Sequence, residues 1–380
     1  MTAALIATLV AALVAGCASA RARQSGDPLP PKAAWALPHF DGQRFYNPRR
    51  IAPQSALRIA RHILFGRTGR WPERTLEPQR ALALARPLGR SDVAVTFVNH
   101  ATVLLQIAGL NILTDPVWSH RVGPWSWAGP PRARQPGIPF DMLPRIDVVL
   151  ISHNHYDHLD LPTLRRLGRR DGPRFFVPLG DRQLLLDAGL RRVQQLDWWQ
   201  RVPLDADVEL IFAPAQHNSG RSPWTANRSL WGSHLVRRRG ALAVYFAGDT
   251  AYAEHFSEVR RRYGAVDLAL LPIGAYAPRE MMKAFHMNPA EAVRAQLDLD
   301  ARVALAIHYG TFQLSAEDFD QPVRDLRQAL KALPVSRRRA FLALPEGRTK
   351  LLRFHAAARA SASARAAGCA SPRRPCTARR

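Results

Sequence analysis

The rhythm of apolar and polar positions changes at residue 91. Beyond it, short apolar runs alternate with turn residues. Residues 93–116, "VAVTFVNHATVLLQIAGLNILTDP", read as strand, strand, a turn at "GLN" and a third strand. "DVVLIS" (147–152) is a continuous apolar run rich in β-branched residues, the pattern of a buried strand. In "LPTLRRLG" leucines recur at 161, 164 and 167, which puts them on one helix face. "RFFVPLG" predicts a strand and "DRQLLLDAGL" a helix. "VELIFAPAQH" runs from strand into loop, and "ALAVYFAGDT" is a strand ending at Gly248-Asp249. "VDLALLPIG" is another strand. "NPAEAVRAQLDL" offers Asn288 as helix cap and Pro289 at the first helical position. "ARVALAIHYGT" predicts a strand ending at His308, and "FLALPEGRTKLL" closes the pattern. A β-meander followed by α/β alternation implies an α/β protein of two packed sheets with helices outside.

The 380 residues, 47% of them hydrophobic, are enough to bury a real core. Four segments follow from the pattern. Residues 1–20 are a signal peptide with a lipobox, or a membrane anchor. Residues 21–90 are a Pro/Arg-rich lead-in that packs on the domain or spaces it from a membrane, with a short amphipathic helix at 55–66. Residues 91–354 are the folded domain. Residues 355–380 are a disordered basic tail.

Within 1–20, "LVAGC" resembles a bacterial lipobox that would make Cys17 the lipidated mature N-terminus. This points to the cell envelope, on the periplasmic side. Arg21 and Arg23, just after the apolar run, would instead favour the cytoplasmic membrane face. Three cysteines do not make a disulfide framework, although Cys369 and Cys376 could pair.

The net charge of +24 is unevenly distributed. Residues 21–90 carry 14 Lys+Arg against 4 Asp+Glu, and residues 356–380 carry 6 Arg and no acid, so the body is only mildly basic. No nucleic-acid motif accompanies the charge. An anionic membrane surface suits it better than nucleic acid.

The chemistry lies at the ends of predicted strands. "ISHNHYDHLD" (151–160) packs His153, His155, Asp157 and His158 into six residues after one strand. His217, Asp249 and His308 each lie at or beyond the end of a further strand. Loops on one edge of a sheet are where sites collect. Imidazole and carboxylate suit zinc, iron or manganese. One clustered turn can serve two ions, and a carboxylate such as Asp249 can bridge them. Two divalent ions about 3.5–4 Å apart can activate a hydroxide for in-line displacement.

With these residues assembled, the chain resembles the metallo-β-lactamase superfamily over about residues 91–350. The resemblance implies a four-layer αββα sandwich and a binuclear metal-dependent hydrolase. "NHATVLLQIAGLNILTDPVWS", "ISHNHYDHLD", "APAQH", "LWGSH", "YFAGDTAY", "LALLPIGAYAPREMMKAFHMNPAEAV" and "AIHYGTF" are similar to the N-acylphosphatidylethanolamine-hydrolysing phospholipase D group. By that resemblance His153, His155 and His217 hold one zinc. Asp157, His158 and His308 hold the other, and Asp249 bridges them. Asp157, Asp249 and His286 are then the catalytic residues, with His286 as general acid or phosphate-binding group. Asp115 would support the metal ligands from behind. Asn99, Phe285 and Asn218 depart from the group's pattern. They leave the metal set untouched but put the lipid head group in doubt. The substrate implied is a phospholipid at a membrane surface. The alternative is a lactonase, esterase or phosphodiesterase of the same fold acting on a small soluble substrate. A non-catalytic lipoprotein of this fold would have lost ligands, whereas all seven are present.

Other residues carry weaker signals. Trp118, Trp125 and Trp127 read either as an aromatic lip facing membrane or acyl chain, or as pins holding a Pro/Gly loop to the core. "LDWWQ" (196–200) reads as core packing. Arg221 and Arg228 could engage phosphate. His100 is either a partner of the site or a buried structural residue. His39, His62, His120, His234, His255 and His355 show no supporting pattern.

Overall fold

The protein is described from a computed structural model that covers residues 38–49, 51, 68–78 and 88–354. The lipobox with Cys17, the helix expected at 55–66, and the tail with Cys369 and Cys376 lie outside the described residues. No helix among the described residues is long and apolar enough to cross a membrane.

Two seven-stranded sheets carry the domain. The first is built from β1 (Asp92–Asn99), β2 (Thr102–Ile107), β3 (Leu110–Thr114), β4 (Val148–Leu150), β5 (Arg174–Pro178) and β6 (Val193–Leu196). β14 (Thr349–Arg353) completes it in the order β14-β1-β2-β3-β4-β5-β6. The second runs in plain sequence order: β7 (Arg201–Pro203), β8 (Val208–Ala213), β9 (Ser233–Arg238), β10 (Leu242–Phe246), β11 (Leu268–Pro272), β12 (Val303–Ile307) and β13 (Ala340–Leu342). Each sheet has three antiparallel pairings followed by three parallel ones. The segment read as a single closing unit splits, with β13 joining the second sheet and β14 the first.

Period-two alternation explains the layers. Val93, Val95 and Phe97 of β1 face Leu210, Phe246 and Leu270 of the second sheet in one buried cluster between the sheets. The intervening residues of each strand face helices. Val149, Ile151, Phe175 and Val177 pack with Leu164 and Leu167 of α1 (Leu161–Arg170) and Leu185 of α2 (Arg182–Asp187). Tyr245, Leu271 and Ala304 pack with Phe256 and Val259 of α3 (His255–Tyr263). After the short α4 (Arg279–Met282), α5 (Pro289–Asp298) and α6 (Gln321–Ala332) complete that outer layer with Ala292, Val293 and Leu326. The result is the four-layer αββα sandwich.

The helix start at Asn288 forms as its sequence predicts. The Asn288 side chain accepts from Glu291 N at 2.8 Å, and Glu291 Oε2 accepts from Asn288 N at 3.1 Å, a reciprocal capping box. The strands not read from sequence are β6, β7 and β9. The first two are edge strands with weak apolar character, "VQQL" and "RVP", and their pairing is decided by the neighbouring strand.

Several hydrogen bonds join the sheets at the end that bears the site, among them His308 N to His100 O at 2.7 Å. Gly232 N donates to Ser152 O at 3.0 Å, and His234 Nε2 donates to Ile151 O at 2.9 Å. His234 is thus an inter-sheet strut. Gly248 is required at the same end. It has φ +60°, and a Cβ there would lie 2.4 Å from the Ser152 Cβ, so only glycine lets β10 close on β4.

Phe97 fills the space between the sheets and stacks on Tyr309, with ring centroids 5.4 Å apart. Phe97→Ala should cost about 3–5 kcal/mol, read as a lower urea midpoint with an unchanged slope. A second expectation concerns acid. Burial holds the imidazole of His234 down to about 4 and that of His255 to about 3, against 6.5 for a free side chain. Both stay neutral in the fold while the unfolded chain takes up their protons below pH 6.5. Their contribution is whole above pH 6.5 and is lost as pH falls toward 4. The pH slope of unfolding free energy between 6 and 5 should drop by about one proton in His255→Gln.

Candidate metal centre

The turn after β4 is folded by its own backbone. His158 N and Leu159 N both donate to His155 O, at 3.1 and 2.8 Å. This winds His153, His155, Asp157 and His158 around one point. β8, β10 and β12 run parallel to one another, so His217, Asp249 and His308 emerge at one edge of the second sheet. The inter-sheet bonds bring that edge against the turn. All seven residues expected from the sequence meet there.

They form two adjoining groups. In the first, His153 Nε2 lies 2.8 Å from His155 Nδ1, and His217 Nε2 lies 3.4 Å from the same atom. In the second, His158 Nε2 is 3.2 Å from Asp157 Oδ2, and His308 Nε2 is 3.5 Å from it. Asp249 Oδ2 stands between the groups, 3.0 Å from His308 Nε2, 3.3 Å from His158 Nε2 and 3.9 Å from His217 Nε2. His286 Nδ1 is 3.8 Å from the same oxygen.

Outer contacts aim the rings. Asp115 Oδ2 lies 2.6 Å from His158 Nδ1 and accepts from Ser152 Oγ at 2.6 Å, while Oδ1 accepts from Ser152 N at 2.7 Å. Ser152 Oγ lies 2.9 Å from His153 Nδ1. His217 Nδ1 donates to Phe285 O at 2.9 Å. Asn47, in the lead-in, grips the His217 backbone from both sides, donating to its carbonyl at 2.7 Å and accepting from its N–H at 3.0 Å.

The charges fit a cation. Burial, with neighbouring imidazoles, holds His153 well below its ordinary pKa. Burial also dominates at His155 and His217, which are likewise lowered. These three are neutral at pH 7, the form that ligates. Burial disfavours charge on Asp157 and Asp249, yet the surrounding histidines outweigh it and hold both carboxyls well below the carboxylate range. Burial is similarly overcome at His308, which Asp249 pulls up to about 9, and at His158, raised by Asp249, Asp157 and Asp115. With no metal, protons on these two rings are what balances the carboxylates. His286 Nδ1 and Asp249 Oδ1 are buried without a hydrogen-bond partner, and His158 Nε2 and His308 Nε2 meet carboxylates only as ion pairs outside hydrogen-bond geometry. Buried polar atoms left this way call for a ligand. His153, His155 and His217 could hold one ion, and Asp157, His158 and His308, with His100 beside them, a second, while Asp249 groups with His217 and His286 and also reaches His158 and His308.

The pattern matched by the Beta-lactamase superfamily domain covers residues 110–309. The chain belongs to the metallo-β-lactamase superfamily. It is a metal-dependent hydrolase of that fold. An uncharacterised protein of Mycobacterium tuberculosis is 40% identical over 261 residues, covering 66% of this chain and 69% of the relative. The N-acyl-phosphatidylethanolamine-hydrolyzing phospholipase D 1 of Caenorhabditis elegans is 35% identical over 245 residues, 62% of this chain and 68% of the relative. The mitochondrial enzyme of that name from Saccharomyces cerevisiae is 38% identical over 227 residues, 57% of this chain and 47% of the relative. Among solved structures, the isothiocyanate hydrolase from Delia radicum gut bacteria superimposes with a TM-score of 0.56 at 17% identity. It covers 69% of this chain and all of that one.

Several residues take roles that sequence reasoning left open or placed elsewhere. His100 Nε2 lies 3.0 Å from Asp157 Oδ2, so this buried ring braces the carboxylate. Arg221 does not face the site as a free phosphate-binding group. Its Nη1 donates to Asn154 O at 3.0 Å and to Leu159 O at 2.9 Å, and its guanidinium lies 3.9 Å above the Tyr156 ring. It clasps both ends of the metal turn. Arg228 is exposed. Asp160, which drew no attention in the sequence, accepts from Trp118 N, Ser119 N and Thr163 Oγ1 and so ties the loop after β3 to the turn. Trp118 is a pin, with its N–H on Ile138 O at 3.0 Å, and Trp198 of "LDWWQ" is buried against Trp231. His39 stacks on Trp198 and pairs with Asp197 at 2.8 Å.

Because Arg221 holds the turn by two carbonyls at once, Arg221→Met should weaken binding of an added divalent ion roughly 10- to 100-fold. Chelator competition reads that change directly. Arg221→Lys, with a point charge and no planar fork, should recover little of it.

Proposed function

We propose that the protein is a phospholipase D-type phosphodiesterase. It would cleave N-acylphosphatidylethanolamine-like phospholipids to phosphatidate and the amide alcohol, using a pair of divalent ions, most simply zinc. The observation that carries this reading is the His/Asp double cluster, in a chain 35% and 38% identical over 245 and 227 residues to two enzymes named for that reaction.

The chain's own groups suit a phosphodiester. His153, His155 and His217 present neutral imidazoles, and Asp157 and Asp249 present ionised carboxylates. When bound, the ions supply an acidified water as nucleophile and neutralise charge on the phosphoryl oxygens. Asp249, reaching both groups, orients them relative to each other and can accept a proton from the attacking water. His286 is the least enclosed histidine beside Asp249, with its side chain 12% exposed. Burial first, with the His308 charge opposed by Asp249, holds its imidazole down to about 4. It therefore enters the reaction neutral, with one N–H to give to a phosphoryl oxygen. A phosphate anion beside it would raise that pKa and equip it to protonate the leaving alkoxide.

In this reading the apolar stretch before Cys17 anchors the enzyme to the bacterial envelope, on the periplasmic side, where its substrate lies in the membrane. Zinc-loaded protein should release N-acylethanolamine from micellar N-acylphosphatidylethanolamine. His153→Ala and Asp249→Ala should each lower kcat about a thousandfold or more. Hydrolysis of soluble lactones with none of the phospholipid would overturn the lipid assignment, and full activity in both variants would sink the metal mechanism.

A further inference from the structure

The described tryptophans fall into an anchored group and an exposed group, with Trp199 half-buried and stacked on Tyr263 between them. Trp71, Trp118, Trp198 and Trp231 each donate the indole N–H to a protein acceptor. Trp125, Trp127 and Trp224 stand 60%, 71% and 66% exposed and make up most of the large exposed apolar side chains among the described residues. Aromatic rings left in water in this way mark an interaction surface.

Their placement is specific. Trp125 and Trp127 stack with ring planes 2° apart and centroids 5.2 Å apart. Their loop is rooted on the metal turn, because Asp160 accepts from Trp118 N and Ser119 N, and Val122 packs in the small cluster that includes Tyr156. Trp224 lies three residues after Arg221, whose guanidinium covers the other side of that connection by clasping Asn154 and Leu159. Two loops from opposite sheets thus flank Tyr156, within the metal turn. The first loop is stiff. Arg132, 2% exposed, donates to the carbonyls of Val117 and Ser119, and a Cβ on Gly129 would lie 2.0 Å from Val122 O. A preorganised loop does not lose further freedom when it docks.

Charge selects the partner. The two loops, residues 116–140 and 217–232, contain no Asp or Glu, and Arg121 and the exposed Arg228 stand in them. Indole rings with cationic neighbours suit the interface of an anionic bilayer.

We propose that Trp125, Trp127 and Trp224 form a docking surface for an anionic phospholipid bilayer, which sets the metal turn against the lipid–water interface. This deepens the phospholipid reading and rests on it for its purpose, but it can be tested without turnover. The full chain is mixed with vesicles of phosphatidylcholine and phosphatidylglycerol that contain brominated acyl chains and no N-acylated lipid. Residues 1–20 contain no tryptophan, and every protein in the comparison carries Trp35→Phe, since Trp35 precedes the described residues, so quenching of tryptophan emission reports on the folded domain even if that segment also binds. Emission should be quenched in the wild type. In W125S/W127S/W224S quenching should largely vanish, and partitioning should fall roughly tenfold. Raising salt should weaken wild-type binding. Zinc-dependent hydrolysis of bis(p-nitrophenyl) phosphate should be unchanged in the triple variant, which also shows that it folds.

Equal quenching in wild type and triple variant would overturn the proposal. So would concentration-dependent self-association that the triple variant abolishes while vesicles quench neither protein, since the surface would then bind a second copy. If quenching behaves as expected but no N-acylethanolamine is ever released, the docking surface stands and the substrate assignment falls.

Discussion

Asp249, buried, and Asp157, only 13% exposed, stand among the same imidazoles, and much of the surrounding structure answers that constraint. Two carboxylates out of water repel each other and are costly to ionise. Here His158 and His308 supply the opposing charge at 3.0–3.5 Å from them. Divalent ions could supply it instead. The remaining histidines, His153, His155 and His217, stay neutral because burial penalises their protonation. One cluster therefore holds both negative ligands and neutral ones, an asymmetry suited to a metal-dependent hydrolase.

The scaffold serves this cluster with few, specific devices. Asp115 braces His158 directly and His153 through Ser152. Arg221 closes the turn from the second sheet, and Asn47 holds the His217 backbone from the lead-in. Gly248 removes the side chain that would keep β10 from β4. The backbone also departs from ordinary conformations here, with positive φ at His100, Asp115 and His308. Strained φ values gathered at a site persist because the surrounding contacts over-determine them.

Much of the architecture was legible along the chain. The apolar runs at 148–150, 208–213, 242–246 and 303–307 became β4, β8, β10 and β12, and the ligands followed them as their positions implied. Edge strands were not legible, because "VQQL" and "RVP" take their conformation from the strand beside them. Nor were the supporting residues. Asn47, Asp160, Arg221 and His234 act through hydrogen bonds to backbone atoms far away in sequence or on a neighbouring loop. Such partners leave no periodicity and no motif, and a single arginine in an arginine-rich chain carries no signal of its own.

The sequence by itself determined the fold class and which side chains could meet a metal. Strand periodicity and ligand chemistry are local properties, written in neighbouring residues. Only the tertiary structure decided which tryptophans are pins and which stand in water, that Arg221 clasps a turn rather than facing the site, and that His100 braces Asp157. These outcomes depend on which loops two sheets bring together, and that is set by the packing of the whole domain.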